Sequence, residues 1–262
     1  MKRFLLTLPA LLALGLIALA PTLILHCQIQ VSYEPEPEEP PIWPIPDDET
    51  EARKAVFINM LLPVVQAQNR ELLALREQAQ ALRVRITDGT LTDAELRWLQ
   101  ARADEYRLAA PDTLDEMGEA WLDTLLRRLD IVPADLALAQ GALESAWGTS
   151  RFAEEANNLF GQWCFRPGCG VVPARRPLGA RYEVQKFATV EDAVASYMRN
   201  LNTHAAYREL RLLRERQRRE GVRPSGRTLA AGLSGYAEIG DTYISHIRAV
   251  IRANNLEAFS DT

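Results

Sequence analysis

The stretch from Leu136 to Gly148, Leu-Ala-Leu-Ala-Gln-Gly-Ala-Leu-Glu-Ser-Ala-Trp-Gly, sets one carboxylate, Glu144, in a run of otherwise apolar and small residues. Read as a helix, it puts Leu136, Ala139, Leu143 and Trp147 on one buried side, with Glu144 on a neighbouring face one turn after Gln140 and Gly141. Gly141 and Gly148 each cost about 1 kcal/mol against Ala in a helix. Small residues one turn to either side of the carboxylate leave room for something bulky to approach it. A carboxyl beside Ala, Leu and Trp is partly desolvated, and desolvation favours the neutral form. A proton held near neutral pH is what a general acid requires. The bland alternative, a surface Glu in a salt bridge, has the same composition.

Other chemistry is sparse. Cys164 and Cys169 are five positions apart in Trp163-Cys164-Phe165-Arg166-Pro167-Gly168-Cys169-Gly170. In an oxidising compartment the pair reads as a disulfide closing a tight loop, against two free thiols in a reducing one. No zinc site is expected, because two sulfurs without a nearby His do not complete four ligands. His204 and His246 form no metal constellation with any Cys or carboxylate, and no cofactor fingerprint, P-loop or Ser-His-Asp motif is present.

The run Glu144-Ser-Ala-Trp-Gly-Thr-Ser-Arg-Phe-Ala153, followed by Asn157-Asn158-Leu159-Phe160-Gly161, resembles the core motif of the bacterial glucosaminidase family, and within it the Bax-like branch of exported proteins. Gly161-Gln-Trp-Cys164, Asn200-Leu-Asn-Thr-His-Ala-Ala-Tyr207, and Gly235-Tyr236-Ala237 leading to Tyr243 and Ile247 carry the same resemblance, in order, over about residues 115–255. It implies a mainly α, lysozyme-like helical lobe with a small β-hairpin insertion. It also implies hydrolysis of β-1,4 bonds after N-acetylglucosamine in peptidoglycan glycan strands, without a cofactor. Glu144 takes the position of the general acid, Glu183 that of a second carboxylate in the β insertion, and Tyr236 that of an active-site tyrosine. Asn158, Phe160, Gly161, Trp163 and Tyr243 are the expected substrate-binding residues. Phe160, Trp163 and Tyr236 could stack on sugars or serve as core. Glu191 and Asp192 sit in a first helical turn, where carboxylates favour the macrodipole anyway. Two other outcomes on such a scaffold are a muramidase or lytic transglycosylase, and a glycan-binding protein without activity.

The elements that must hold these residues are largely helical. A Leu-, Ala-, Gln- and Arg-rich segment over about 48–84 reads as a long helix that Pro63 kinks or splits. Thr92-Asp-Ala-Glu95 and Thr113-Leu-Asp-Glu116 both have capping-box form. The acid helix starts at Pro133 and is expected to end at Gly148. Between 170 and 187, Tyr182 and Val184 alternate with Glu183 and Gln185, the mark of a small hairpin. Val194, Tyr197, Met198 and Leu201 trace one amphipathic face. Ile244, His246, Ile247 and Ile251 trace another, behind Asp241 as N-cap. The Arg-rich run Arg208–Arg219 reads as a solvated helix face.

The chain has 262 residues, 47% hydrophobic and 25% charged, with a net charge of −5. Eight acids and no base lie between 34 and 51, so the rest is near neutral, which argues against a nucleic-acid partner. Met1-Lys2-Arg3 precedes 22 uncharged residues, Phe4 to Leu25. That pattern reads as a membrane anchor or as a signal peptide ending near Ala18-Leu-Ala20. Cys27 would suggest a lipoprotein, except that His26 stands where a small residue is needed. Each reading exports the rest, into the periplasm, beside the outer face of the cytoplasmic membrane. The expected layout is a targeting segment over 1–30, an acidic Pro-rich linker over 31–47, a helical extension over 48–114 and the glucosaminidase-like domain over 115–262. The sequence offers no protein partner.

Overall fold

The computed structural model describes residues 50–109, 117–237 and 240–260, all within one compact unit, Trp43–Thr262. The targeting segment, the Pro-rich linker and the expected cap at Thr113 lie outside the described residues. None of the described helices is long and apolar enough to cross a membrane.

At the centre is helix α5, Ala134–Ser145, entered from Pro133. It is mainly apolar, as a helix packed in a core requires, and ten of its residues are buried. Around it pack α1 (Thr50–Ala81), α9 (Gly226–Leu229), α10 (Asp241–Ala253) and a C-terminal 3-10 turn, Leu256–Phe259. Between α1 and α5 lie α2 (Arg83–Thr87), α3 (Asp93–Glu105) and α4 (Glu119–Arg128). After α5 come α6 (Arg151–Ala156), α7 (Val190–Thr203) and α8 (Arg208–Arg219).

Residues 50–109 are not a detached module. Phe57, Leu61 and Val65 of α1 are fully buried and join the same core as Leu136, Leu201 and Ile247. Gly141 explains the fit. A Cβ there would lie 3.0 Å from Leu61 and 3.2 Å from Phe57, so the glycine admits α1 rather than a substrate. Asn69 of α1 also brackets the turn before α5, donating to the Val132 carbonyl at 2.7 Å and accepting from its N–H at 3.1 Å. The helix runs unbroken through Pro63, which faces solvent, so it is not split. Burial of Phe57, Leu61 and Val65 holds the flanking turns together across the missing donor.

Thr92 and Glu95 form the expected capping box. The face of Val194, Tyr197, Met198 and Leu201 is buried as expected. On α10, Ile244, Ile247 and Ile251 are buried, but His246 is exposed, and Gly240 rather than Asp241 occupies the cap. The Arg-rich helix α8 departs most from expectation. Arg211 and Arg214 are buried, 5% and 1% exposed. Their guanidiniums satisfy carbonyls at helix ends: Arg211 donates to Leu201 and His204, and Arg214 to Arg127 and Ile131. Such carbonyls lack intrahelical donors and carry the negative end of the macrodipole.

The β insertion is a three-stranded antiparallel sheet in the order β1 (Trp163–Cys164), β3 (Glu183–Gln185), β2 (Gly170–Val171). Cys164 pairs with Glu183 and Gly170 with Gln185. The first strand falls outside the hairpin expected over 170–187. Two-residue strands this short carry little alternation for a sequence to display. A Cβ at Gly170 would overlap the Val184 carbonyl, so only glycine permits this pairing. Cys164 and Cys169 are disulfide-bonded, closing the turn between β1 and β2.

Candidate active site

Glu144 lies in the last turn of α5, where the chain leaves the helix abruptly. Ala146, Trp147 and Gly148 all have positive φ, at 51°, 60° and 83°. For Ala and Trp this left-handed conformation costs roughly 1–2 kcal/mol each. The buried Ser145 holds the turn, its hydroxyl donating to Gly141 O at 2.6 Å and accepting from Gly148 N–H at 2.8 Å. The helix therefore ends at Ser145, not at Gly148. Leu143, expected inside, is 37% exposed. Trp147 packs edge-on against Phe57, ring centres 5.6 Å apart.

This turn places the Glu144 carboxyl at the negative end of the α5 dipole and half out of water. Burial pushes it above the usual carboxylate range, and a hydrogen bond from Tyr243 only partly offsets that. Tyr243 is itself held in a chain. The Tyr197 hydroxyl donates to Gln140 Oε1 at 2.7 Å, and Gln140 Nε2 donates to the Tyr243 oxygen at 3.1 Å. The Tyr243 proton is thereby left for Glu144. Burial raises the pKa of Tyr197, Tyr236 and Tyr243 alike, so all three stay protonated. Gln140 is fully buried and was not foreseen as part of the site. The available signal was a lone amide in an apolar helix, one turn before the carboxylate, since a buried amide requires partners.

The expected site residues separate into two groups. Gly161, with φ of 64°, passes beside the carboxyl, and a Cβ there would come 3.3 Å from Glu144 Oε2. The Tyr236 hydroxyl donates to Phe160 O at 2.9 Å, and its ring stacks on Tyr243 at 5.3 Å. Trp163 is 54% exposed and stacks one face on Tyr182 at 4.3 Å. It borders a polar groove of about 470 Å³ whose walls include Gln162, Gln185, Asp192, Ser196 and Asn200. A flat aromatic surface among amides and hydroxyls suits a sugar ring.

The second group is structural. Phe160, expected as a stacking surface, is 1% exposed and lies flat on Tyr197 at 3.9 Å, so it is core. Asn158 is equally buried. Its amide donates to Gln162 O and Gln185 O at 2.8 Å, and its oxygen accepts from Gln162 N–H, which joins β1 to β3 instead of meeting a ligand. Glu183 is 7% exposed, and its two oxygens accept from Gly168 N–H at 3.0 Å and Gly170 N–H at 2.9 Å. These backbone bonds hold its carboxyl below the usual range. Its charge thus anchors the disulfide turn.

Because the Tyr243 hydrogen bond favours the ionised form of Glu144, Tyr243→Phe is expected to raise the Glu144 pKa further. The alkaline limb of a pH–kcat/KM profile should then move to higher pH. A limb that stays in place or moves down would contradict this hydrogen-bond chain.

A family model described as mannosyl-glycoprotein endo-beta-N-acetylglucosaminidase, the glucosaminidase family, matches residues 120–256. Protein bax of Escherichia coli (strain K12) is 30% identical over 202 residues, covering 77% of this chain and 70% of that protein. No solved structure matches. The acid-bearing end of α5, the disulfide turn and the tyrosines around Glu144 all fall inside the matched span, and the chain belongs to the glucosaminidase family of glycoside hydrolases, as a Bax-like member.

Proposed function

We propose that this protein hydrolyses the β-1,4 bond after N-acetylglucosamine in peptidoglycan strands, with Glu144 as general acid. One observation carries the reading: a part-buried carboxyl, raised in pKa, on an open helix end between the Gly161 backbone and the Tyr243 hydroxyl. Glycoside cleavage needs a group that protonates the leaving oxygen and a second that meets the charge developing at C1. Glu183 is committed to the Gly168 and Gly170 amides, which supports assigning the second role to the substrate's own acetamido group. In that sequence Glu144 gives its proton to the glycosidic oxygen as the C1–O bond breaks, and the acetamido oxygen closes on C1. Water then attacks C1, reopening the ring, and the Glu144 carboxylate takes the water's proton.

Glu183→Gln separates the two assignments. It is expected to lower kcat less than about tenfold, through loosening of the disulfide turn, whereas loss of a reacting carboxylate costs about 10²–10⁴-fold. A loss as large as that of Glu144→Gln would return Glu183 to the chemistry. Within the same proposal, the apolar N-terminal segment carries the domain to the periplasmic face of the cytoplasmic membrane. The Cys164–Cys169 bond fits such an oxidising compartment. Mass analysis of the new ends in a peptidoglycan digest tests the whole reading.

A further inference from the structure

Away from Glu144, helices α1, α2, α4 and α8 line a solvent-open cavity of about 390 Å³ with seven arginines and four carboxylates, a net charge of +3. No residue of the Glu144 site lines it. The pairing inside is unequal. Asp130, 2% exposed, is shared by Arg76 at 3.5 Å, Arg214 at 3.7 Å and Arg218 at 2.7 Å. Glu215 is shared by Arg127 at 2.8 Å and Arg219 at 2.7 Å. Five guanidiniums thus divide two carboxylates.

Part of this cluster has a structural task. Arg76 donates to carbonyls at the end of α4, Leu126 and Leu129, and Arg214 donates to Arg127 O and Ile131 O. That accounts for the inner arginines. It does not account for Arg127, Arg218 and Arg219, whose side chains keep 26%, 32% and 72% of their exposure while lining the same cavity; Arg83, 35% exposed, lies beside them with Asp123 at 2.6 Å and Glu119 at 3.9 Å. Like charges at this spacing repel, and burial weakens the screening that water would provide. Burial pushes Arg211 and Arg214 down to about 10, neighbouring arginines add to the shift, and at Arg214 the Asp130 carboxylate opposes it.

We propose that this cavity binds a multivalent phosphate oxyanion, either free or carried on a lipid headgroup. A single carboxylate would leave most of the +3 charge in place, whereas a diphosphate balances it. The planar fork of Arg matches phosphate oxygens two at a time. The cavity joins the N-terminal helix α1 to α8 of the matched domain, so its occupant would lock the two together.

The test is calorimetric titration of the full-length protein, in non-ionic detergent at fixed ionic strength, with inorganic pyrophosphate. Saturable binding is expected, weakened roughly tenfold or more in Arg83→Gln and Arg218→Gln, as loss of a charged hydrogen bond implies. Glu77 is exposed on the cavity wall, and Glu77→Gln should tighten binding because it removes a negative charge. Inorganic phosphate and dihexanoyl phosphatidic acid, a phosphomonoester titrated below its micelle concentration, identify the source. Preference for the free anion points to a soluble phosphate, and preference for the lipid phosphomonoester points to a headgroup. Absence of saturable binding overturns the proposal. So does an affinity that folded Arg218→Gln and Glu77→Gln leave unchanged.

Discussion

Replacing Glu144 with Gln is expected to lower turnover about 10²–10⁴-fold while the protein remains folded. Gln keeps the shape and can still accept from Tyr243, but it has no proton to give the leaving oxygen. The same substitution should raise stability near neutral pH. In the folded wild type the Glu144 carboxyl is held above its ordinary value, chiefly by burial. The native state therefore binds more protons than the unfolded chain once pH exceeds about 4.3, the ordinary Glu value, and stability falls as pH rises through that window up to the folded pKa. Gln does not titrate, so the variant escapes that loss. Melting curves at pH 4 should nearly coincide, and at pH 7 the variant should melt higher. A folded variant with near wild-type turnover would remove Glu144 from the mechanism.

Asp130→Ala is expected to destabilise the fold by about 3–5 kcal/mol, because it strands buried guanidiniums without their shared carboxylate. Arg214 is 1% exposed and cannot turn to water. For a domain of this size the loss corresponds to a drop of roughly 6–20 °C in melting temperature. Burial alone would raise the Asp130 pKa, but Arg214, Arg218 and Arg76 outweigh it and hold the pKa below normal. A carboxyl lowered in the fold contributes stability above the unfolded Asp value of about 3.9, and that contribution is lost as pH falls through the folded value. The gap between wild type and variant should therefore be full at pH 7 and shrink below about pH 4. A shift under about 2 °C at pH 7 would mean that the carbonyl contacts of Arg76 and Arg214 suffice without Asp130.

The sequence displayed those features that depend on near neighbours. The capping box at Thr92, the stripe of α7 and the mainly apolar α5 with Glu144 in its last turn are all periodic or local signals. What it hid depends on distant partners. Arg211 and Arg214 read as solvated because the carbonyls and the carboxylate that receive them lie 7 to 87 positions away. Gly141 suggested space for a substrate, but its occupants, Leu61 and Phe57, come from a helix some eighty residues earlier in the chain. α5 stops at Ser145, short of the expected Gly148, because Ala146 and Trp147 adopt a conformation that residues with a Cβ seldom take. Within the site, the Gly161 backbone and the Tyr243 hydroxyl lie beside Glu144, whereas Asn158 and Phe160 are buried away from it, since nothing in a motif says which way a side chain points.

The bond that is cut separates a glucosaminidase from every alternative. Protonating the oxygen that leaves N-acetylglucosamine C1 creates new reducing N-acetylglucosamine ends. A muramidase leaves reducing N-acetylmuramic acid, a lytic transglycosylase leaves the anhydro sugar, and a binding protein leaves the strand whole. Peptidoglycan digested with the purified protein, reduced with borohydride and resolved by mass spectrometry, identifies the sugar at each new end. The reduced sugar is expected to be N-acetylglucosamine. Reduced muramic acid, anhydro ends, or no new ends from folded protein on several peptidoglycan sources would contradict it.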